Sequence, residues 1–178
     1  MASNRHLGRI LALQTLYEYD FRTDCNDENL DLQEVLERNI ARYSKTVEDH
    51  VFIKDLVNGV AECETELDTV LQPIAPEWPI SQIARMDRLV LRMSLYELLS
   101  GDDVPPKVVI NEAVELSKSF GGENSSKFIN GVLGTVLRKH EEGSLEIPTV
   151  LQNQKKDQKT IMKPKPIGKQ IKKKEVKK

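Results

Sequence analysis

The chain is predicted to be all-α, with about seven helices in two small helical subdomains and a disordered Lys-rich C-terminal tail. Three observations predict it. Apolar residues recur at three- and four-residue steps over most of the first 140 positions, no segment alternates apolar and polar as a half-buried strand would, and the connections are short. A cluster of Pro73, Pro76 and Pro79 around Trp78 interrupts the pattern midway and divides it. The expected organisation is a helical domain over 1–143, with an N-terminal half over 4–72 and a C-terminal half over 80–140, followed by a basic tail over 144–178.

The first helix is expected from Asn4, as N-cap, to about Phe21, because Leu7, Ile10, Leu11, Tyr17 and Phe21 form one broad apolar face. Leu32, Val35, Leu36 and Ile40 predict a shorter second helix ending near Tyr43. A third is expected to start after Ser44 or Thr46 and run unbroken to about Leu71, since Phe52, Ile53, Leu56, Val57, Val60, Leu67, Val70 and Leu71 keep the period without a proline. Trp78 is expected to wedge between the halves.

The segment from about Met86 to Ser100 is apolar nearly all round, which predicts the central buried helix, stopped at Gly101. Pro106 suits the first turn of the next helix, which runs through Val109, Ala113, Leu116 and Phe120 to the Gly121-Gly122 break. Asn124 or Ser125 then caps a last helix with Phe128, Ile129, Val132, Leu133, Val136 and Leu137 on its face. Gly131 and Gly134 weaken that helix by roughly 1 kcal/mol each against Ala, so they are expected where a neighbouring backbone comes close. After Gly143 the period is lost, and from Asn153 the chain is too lysine-rich to bury a core.

The 178 residues are 39% apolar, enough for one ordinary core or two small ones. The net charge of −2 hides a split: 11 Lys against Asp157 and Glu175 give +9 over 153–178, so 1–152 carries −11. An acidic body repels polyanions at long range, so nucleic-acid binding needs a local basic cluster, the tail or a basic partner. No apolar run reaches the ~20 residues that span a bilayer, and the N-terminus lacks a signal-peptide core, which together point to the cytoplasm and no membrane association. Cys25 and Cys63 are too few and too separated for a disulfide framework or a zinc cluster.

No enzyme motif is present: there is no glycine-rich phosphate loop, no HExxH and no Ser or Cys nucleophile motif. His6, His50 and His140 are far apart and read as surface histidines. No catalytic residue, metal or cofactor is expected. Two helix starts are unusual. Arg5, His6 and Arg9 open the first helix and Lys127 opens the last, against the dipole, which favours anions at an N-terminus by ~0.3–1 kcal/mol. Cations beside free N–H groups suit a phosphate oxygen. Phe120 and Phe128 flank the lead-in to the last helix, where rings able to stack single-stranded bases would sit. Plainer readings stand beside these: Phe128 as a core side chain, Lys127 and the first-helix cations as solvated surface. Arg85, Arg88 and Arg92 fall at i, i+3 and i+7 on the central helix, either paired within the chain or forming a partner surface.

Together the ordered segments Ala12-Leu-Gln-Thr-Leu-Tyr17, Leu91-Arg-Met-Ser-Leu-Tyr-Glu-Leu98, Val104-Pro105, Ile110-Asn-Glu-Ala-Val-Glu-Leu116 with Ser119-Phe-Gly121, and Lys127-Phe-Ile-Asn-Gly-Val-Leu133 carry a resemblance. The chain resembles the NusB family of bacterial transcription antitermination factors from about Arg5 to Leu137. The resemblance implies a non-enzymatic protein that pairs with the small-subunit ribosomal protein NusE, binds the boxA element of nascent RNA, and joins the RNA polymerase antitermination complex on ribosomal RNA operons. It implies an RNA face drawing on Arg5, His6, Arg9, Tyr17, Phe120, Lys127 and Phe128, and a NusE face on Asp87, Arg88 and Asn124. Members occur as monomers and as homodimers, and the sequence leaves both open. The chain departs from the family in its sparser arginines before the first helix, and in Asn124 where relatives often have an acid.

Two other readings compete. The same fold precedes some ribosomal RNA cytosine methyltransferases, but a catalytic domain needs a βαβ cofactor unit that the tail does not supply. A purely structural helical adaptor is the third. The RNA reading further requires the start of the first helix and the Lys127 turn to lie side by side as one cradle.

Overall fold

A computed structural model describes residues 4–100 and 104–153. Among the described residues the main elements follow in order: α1 (Asn4–Asp24), α2 (Leu32–Tyr43), α3 (His50–Glu62), α4 (Glu64–Leu71), the 3₁₀ turn Ile80–Gln82, α5 (Arg85–Ser100), α6 (Pro106–Phe120) and α7 (Ser125–Glu141). No strand occurs among the described residues, as the absence of alternation predicts.

Helix α5 is the axis of the packing. Every residue from Leu89 to Ser100 is buried, and α1, α3, α4, α6 and α7 all lie against it. Leu91, Leu95 and Leu99 form its most enclosed stripe, at the i, i+4, i+8 spacing of one helix face. Burying such a side chain contributes roughly 1.5–3 kcal/mol, so this helix carries a large share of the fold's stability. The core is continuous from Leu11 of α1 through α5 to Val136 of α7, crossing the proline break.

Local chemistry sets the other boundaries. Asp31 caps α2 by accepting from the amides of Gln33 at 2.7 Å and Glu34 at 3.3 Å. The helix expected to run unbroken to Leu71 is instead two. Asp49 caps the first of them through the Phe52 amide at 3.1 Å, and the chain breaks at Cys63, with φ −109° and ψ 19°. The Cys63 amide still closes α3 onto Gly59 O while its carbonyl already accepts Leu67 N, so one buried residue ends one helix and starts the next. Glu64 and Glu66 in the first turn of α4 favour a new N-terminus there. Asn4 is itself helical, the first of the described residues, and its side chain ties to the Glu48 amide at 3.0 Å instead of capping α1.

Glycine is required at Gly59, where an added Cβ would lie 2.0 Å from the Tyr96 ring. Gly131 and Gly134, expected at a close approach, face open space instead, with nothing within 4 Å of an added Cβ. Trp78 does not wedge between the halves: it is 55% exposed on the proline loop. Gly101 lies outside the described residues.

Residues 144–153 do not behave as the start of a tail. Gly143, at φ +68°, turns the chain back after α7. Leu145 and Ile147 then pack on the core, and Leu151, in a helical stretch over 149–153, is fully buried. The rest of the lysine-rich segment, from 154, lies outside the described residues. No helix among the described residues is long and apolar enough to cross a membrane.

Candidate nucleic-acid interface

The start of α7 is fixed by a narrow turn. Gly121 ends α6 through its amide to Ser117 O at 2.9 Å, and a Cβ there would come within 2.5 Å of the Ser125 Cβ. Ser125 Oγ accepts the Gly122 amide at 2.8 Å and donates to Asp87 Oδ2 at 2.9 Å, pinning α7 to the first turn of α5. With Ser125 turned inward, Asn124 occupies the N-cap without a side-chain capping bond, and the first turn holds no acid. Lys127 is exposed there and forms no ion pair among the described residues. Phe120 is 39% exposed, while Phe128 is half-buried against the core.

Lys127, Phe128 and Gly131 face Ala75, Glu77 and Trp78 of the proline loop across an open groove of about 400 Å³. The loop is braced. Gln72 Nε2 donates to Trp78 O at 3.3 Å, and Gln72 Oε1 accepts the Ile80 amide at 3.1 Å, so one side chain clamps the loop backbone at and just after the tryptophan. Sequence reasoning placed Trp78 as a wedge between the halves, although three prolines spaced around a lone tryptophan signal a stiff surface loop.

The start of α1 is differently used. Arg5 sits 3.7 Å from Asp49 and over the Phe52 ring at 5.3 Å, with its side chain 40% exposed. His6 Nδ1 lies 2.7 Å from Glu112 Oε2. Arg9 is buried: its Nε donates to Glu97 Oε2 at 2.9 Å, its Nη2 to Glu97 Oε1, and its Nη1 to Glu112 Oε2 at 3.4 Å. Arg9 is therefore a structural cation, and the expectation that its side chain meets phosphate is overturned by its burial. The two helix starts meet α5 at different levels. Arg9 meets α5 at Glu97 and Ser125 meets it at Asp87, ten residues away, or roughly 15 Å at the helical rise.

Tyr17 belongs to the same end as α7's start. It is 37% exposed beside Phe21, and the Arg85 guanidinium covers both rings at 5.7 and 5.2 Å while holding Asp20 at 2.6 Å and pairing with Asp24. The arginine stripe is paired within the chain: Arg88 with Asp20 at 3.2 Å, and Arg92 with Asp68 through two bonds of 2.8 and 2.7 Å and with Glu64 at 3.0 Å. Burial pushes the Arg92 guanidinium down, but the Asp68 bonds outweigh it and hold it above its ordinary value. Asp87, nearly buried, keeps one oxygen, Oδ1, without a hydrogen-bond partner among the described residues.

The fold and this end of it define a small all-α binding protein, with rings and an uncommitted cation gathered near the N-terminal end of its central helix. The chain belongs to the NusB family, whose model matches residues 6–138. It is 44% identical over 142 residues to the transcription antitermination protein NusB of Chloroflexus aggregans, covering 79% of this chain and 91% of that one. It is 41% identical over 138 residues to NusB of Dehalococcoides mccartyi, covering 78% and 92%. Among solved structures, NusB of T. maritima superimposes with a TM-score of 0.69 at 28% identity, covering 86% of this chain and 99% of that one. The fold is also that of NusB crystallised with NusE and double-stranded RNA, at a TM-score of 0.65 and 24% identity over 78% of this chain and 98% of that one.

Proposed function

We propose that this protein is a non-enzymatic, cytoplasmic transcription antitermination factor that binds boxA-type RNA together with the ribosomal protein NusE, within the RNA polymerase antitermination complex, and so promotes processive transcription of ribosomal RNA operons. The observation that carries the reading is the start of α7, where Lys127 stands uncommitted in an uncapped first turn between Phe120 and Phe128. Such a turn offers phosphate oxygens both N–H groups and charge. Tyr17 extends the stacking surface at the same end of α5. Arg5 and His6, at the other helix start, take a later part of the strand, and Arg9 contributes by holding α1 in place.

NusE binds at Asp87, Arg88 and Asn124. Asn124 is exposed at the α7 N-cap and, being neutral, demands no basic group opposite it, while Asp87 holds the α7 start in place through Ser125. A basic partner also offsets the acidic body, so RNA binds more tightly to the pair than to this chain alone. The test is RNA binding by gel shift, with and without NusE, for the wild type and Lys127→Glu. Binding that is strengthened by NusE and weakened by the substitution is expected; failure to bind under every condition rejects the reading in favour of a structural adaptor.

A further inference from the structure

Trp78 is held rigidly yet left in solvent. The Gln72 clamp and the prolines on either side fix the loop, the indole is 55% exposed, and its N–H makes no hydrogen bond among the described residues. A large aromatic held in place yet exposed is preorganised for a flat partner, because little further ordering is needed when the ring is covered. The groove beside it is about 400 Å³, within the ~300–1,000 Å³ of small-ligand pockets and too small for a helix ~10–12 Å across.

We propose that this groove is a nucleobase pocket: one base of a single-stranded RNA stacks on Trp78, half-buried Phe128 forms the apolar wall, and Lys127 at the edge holds the adjoining phosphate. The charges set the direction. Lys127 stands on the α7 rim and Glu77 on the loop rim, so the sugar-phosphate backbone passes on the α7 side and the base points towards the indole. Gly131 completes the shape, since the absence of a side chain there leaves the floor open. The proposal rests on the RNA-binding reading above and adds a residue, Trp78, and a pocket to it.

Trp78 is the chain's single tryptophan, so its fluorescence reports this groove alone. Titrating the full-length protein with boxA-type single-stranded RNA, while following both RNA anisotropy and tryptophan emission, is expected to show quenching that saturates with binding. Trp78→Leu should weaken binding by roughly 5- to 150-fold, the range for losing one base–aromatic stack. Gly131→Leu fills the floor without a clash at its Cβ and should weaken binding to a similar degree, its fold checked by circular dichroism. RNA that binds without changing the emission, and equally well to both variants, overturns the pocket while a Lys127→Glu defect keeps the RNA reading standing. A Trp78→Leu protein that loses NusE but keeps RNA overturns it as well, making the groove a protein site. No RNA binding by the wild type, with or without NusE, removes the RNA reading and the pocket together.

Discussion

The Ser125 hydroxyl stands between the Gly122 amide and the Asp87 carboxylate, 2.8 and 2.9 Å from each, so one oxygen joins the first turn of α7 to that of α5. Because the acceptor is a nearly buried carboxylate, Ser125→Ala should cost about 1.5–3 kcal/mol. The urea midpoint reads it, and an unmoved midpoint would show that the hydroxyl is dispensable. The same variant should loosen the turn that presents Lys127, lowering RNA affinity as well.

Arg9 and Glu97 form a buried pair, and such pairs are costly to break from one side. Arg9→Ala should destabilise by roughly 3–5 kcal/mol by stranding Glu97, whereas replacing both partners with Met should be near neutral. Calorimetry on the single and double variants distinguishes this from a phosphate-binding role. If the arginine served RNA directly, the double variant would keep its stability but lose RNA affinity as strongly as Lys127→Glu.

The glycines should divide cleanly. Gly131→Ala and Gly134→Ala meet open space and should each stabilise α7 by up to about 1 kcal/mol, raising the thermal midpoint. Gly59→Ala would drive a methyl into the Tyr96 ring and should lower the midpoint sharply. A tolerant Gly59 would mean that α3 can move off the ring.

Acid sensitivity should run in part through Glu18. Burial pushes this carboxyl up, but the Arg38 and Arg22 guanidiniums outweigh it and hold it below its ordinary value of 4.5. A carboxylate with a depressed folded value contributes stability that is complete above the unfolded value and is lost as pH falls through the folded one. Glu18→Gln should therefore lose less stability than the wild type on acidification below 4.5, as followed by urea midpoints across pH. Parallel profiles would exclude the contribution.

Removing residues 154–178 takes away the 11 lysines beyond the described fold and spares Leu151. If those lysines meet phosphates, the slope of log affinity for RNA against log salt should become shallower. An unchanged slope would assign the salt dependence to the folded body.

Much of this was legible from local pattern. The helical period located α1, α2, α5, α6 and α7, because each buries one continuous face, and Pro106 and the Gly121-Gly122 pair marked real boundaries. The break at Cys63 was not, because an apolar period passes through it unchanged and only the acidic pair Glu64 and Glu66 hints at a new start. Leu145, Ile147 and Leu151 were too sparse to show a face, so their docking is visible only in three dimensions. At the candidate site, dipole reasoning singled out Lys127, which stands exposed in an uncapped first turn, but missed the burial of Arg9, whose partners Glu97 and Glu112 lie about a hundred residues away. Trp78 was misplaced because hydrophobicity predicts burial on average and does not register a loop too stiff to fold inward.

The seat of the Tyr96 ring on the bare backbone of Gly59 has a mechanical meaning. Because the ring lies where a Cβ at position 59 would stand, α3 approaches α5 most closely at this one level, which ties the region before the proline loop to the region after it. If RNA and a partner protein both bind along the axial helix, as proposed above, they meet one frame. A slip at this seam is then a costly route between two such guests, and their own mutual contact or shared charge is the cheaper one.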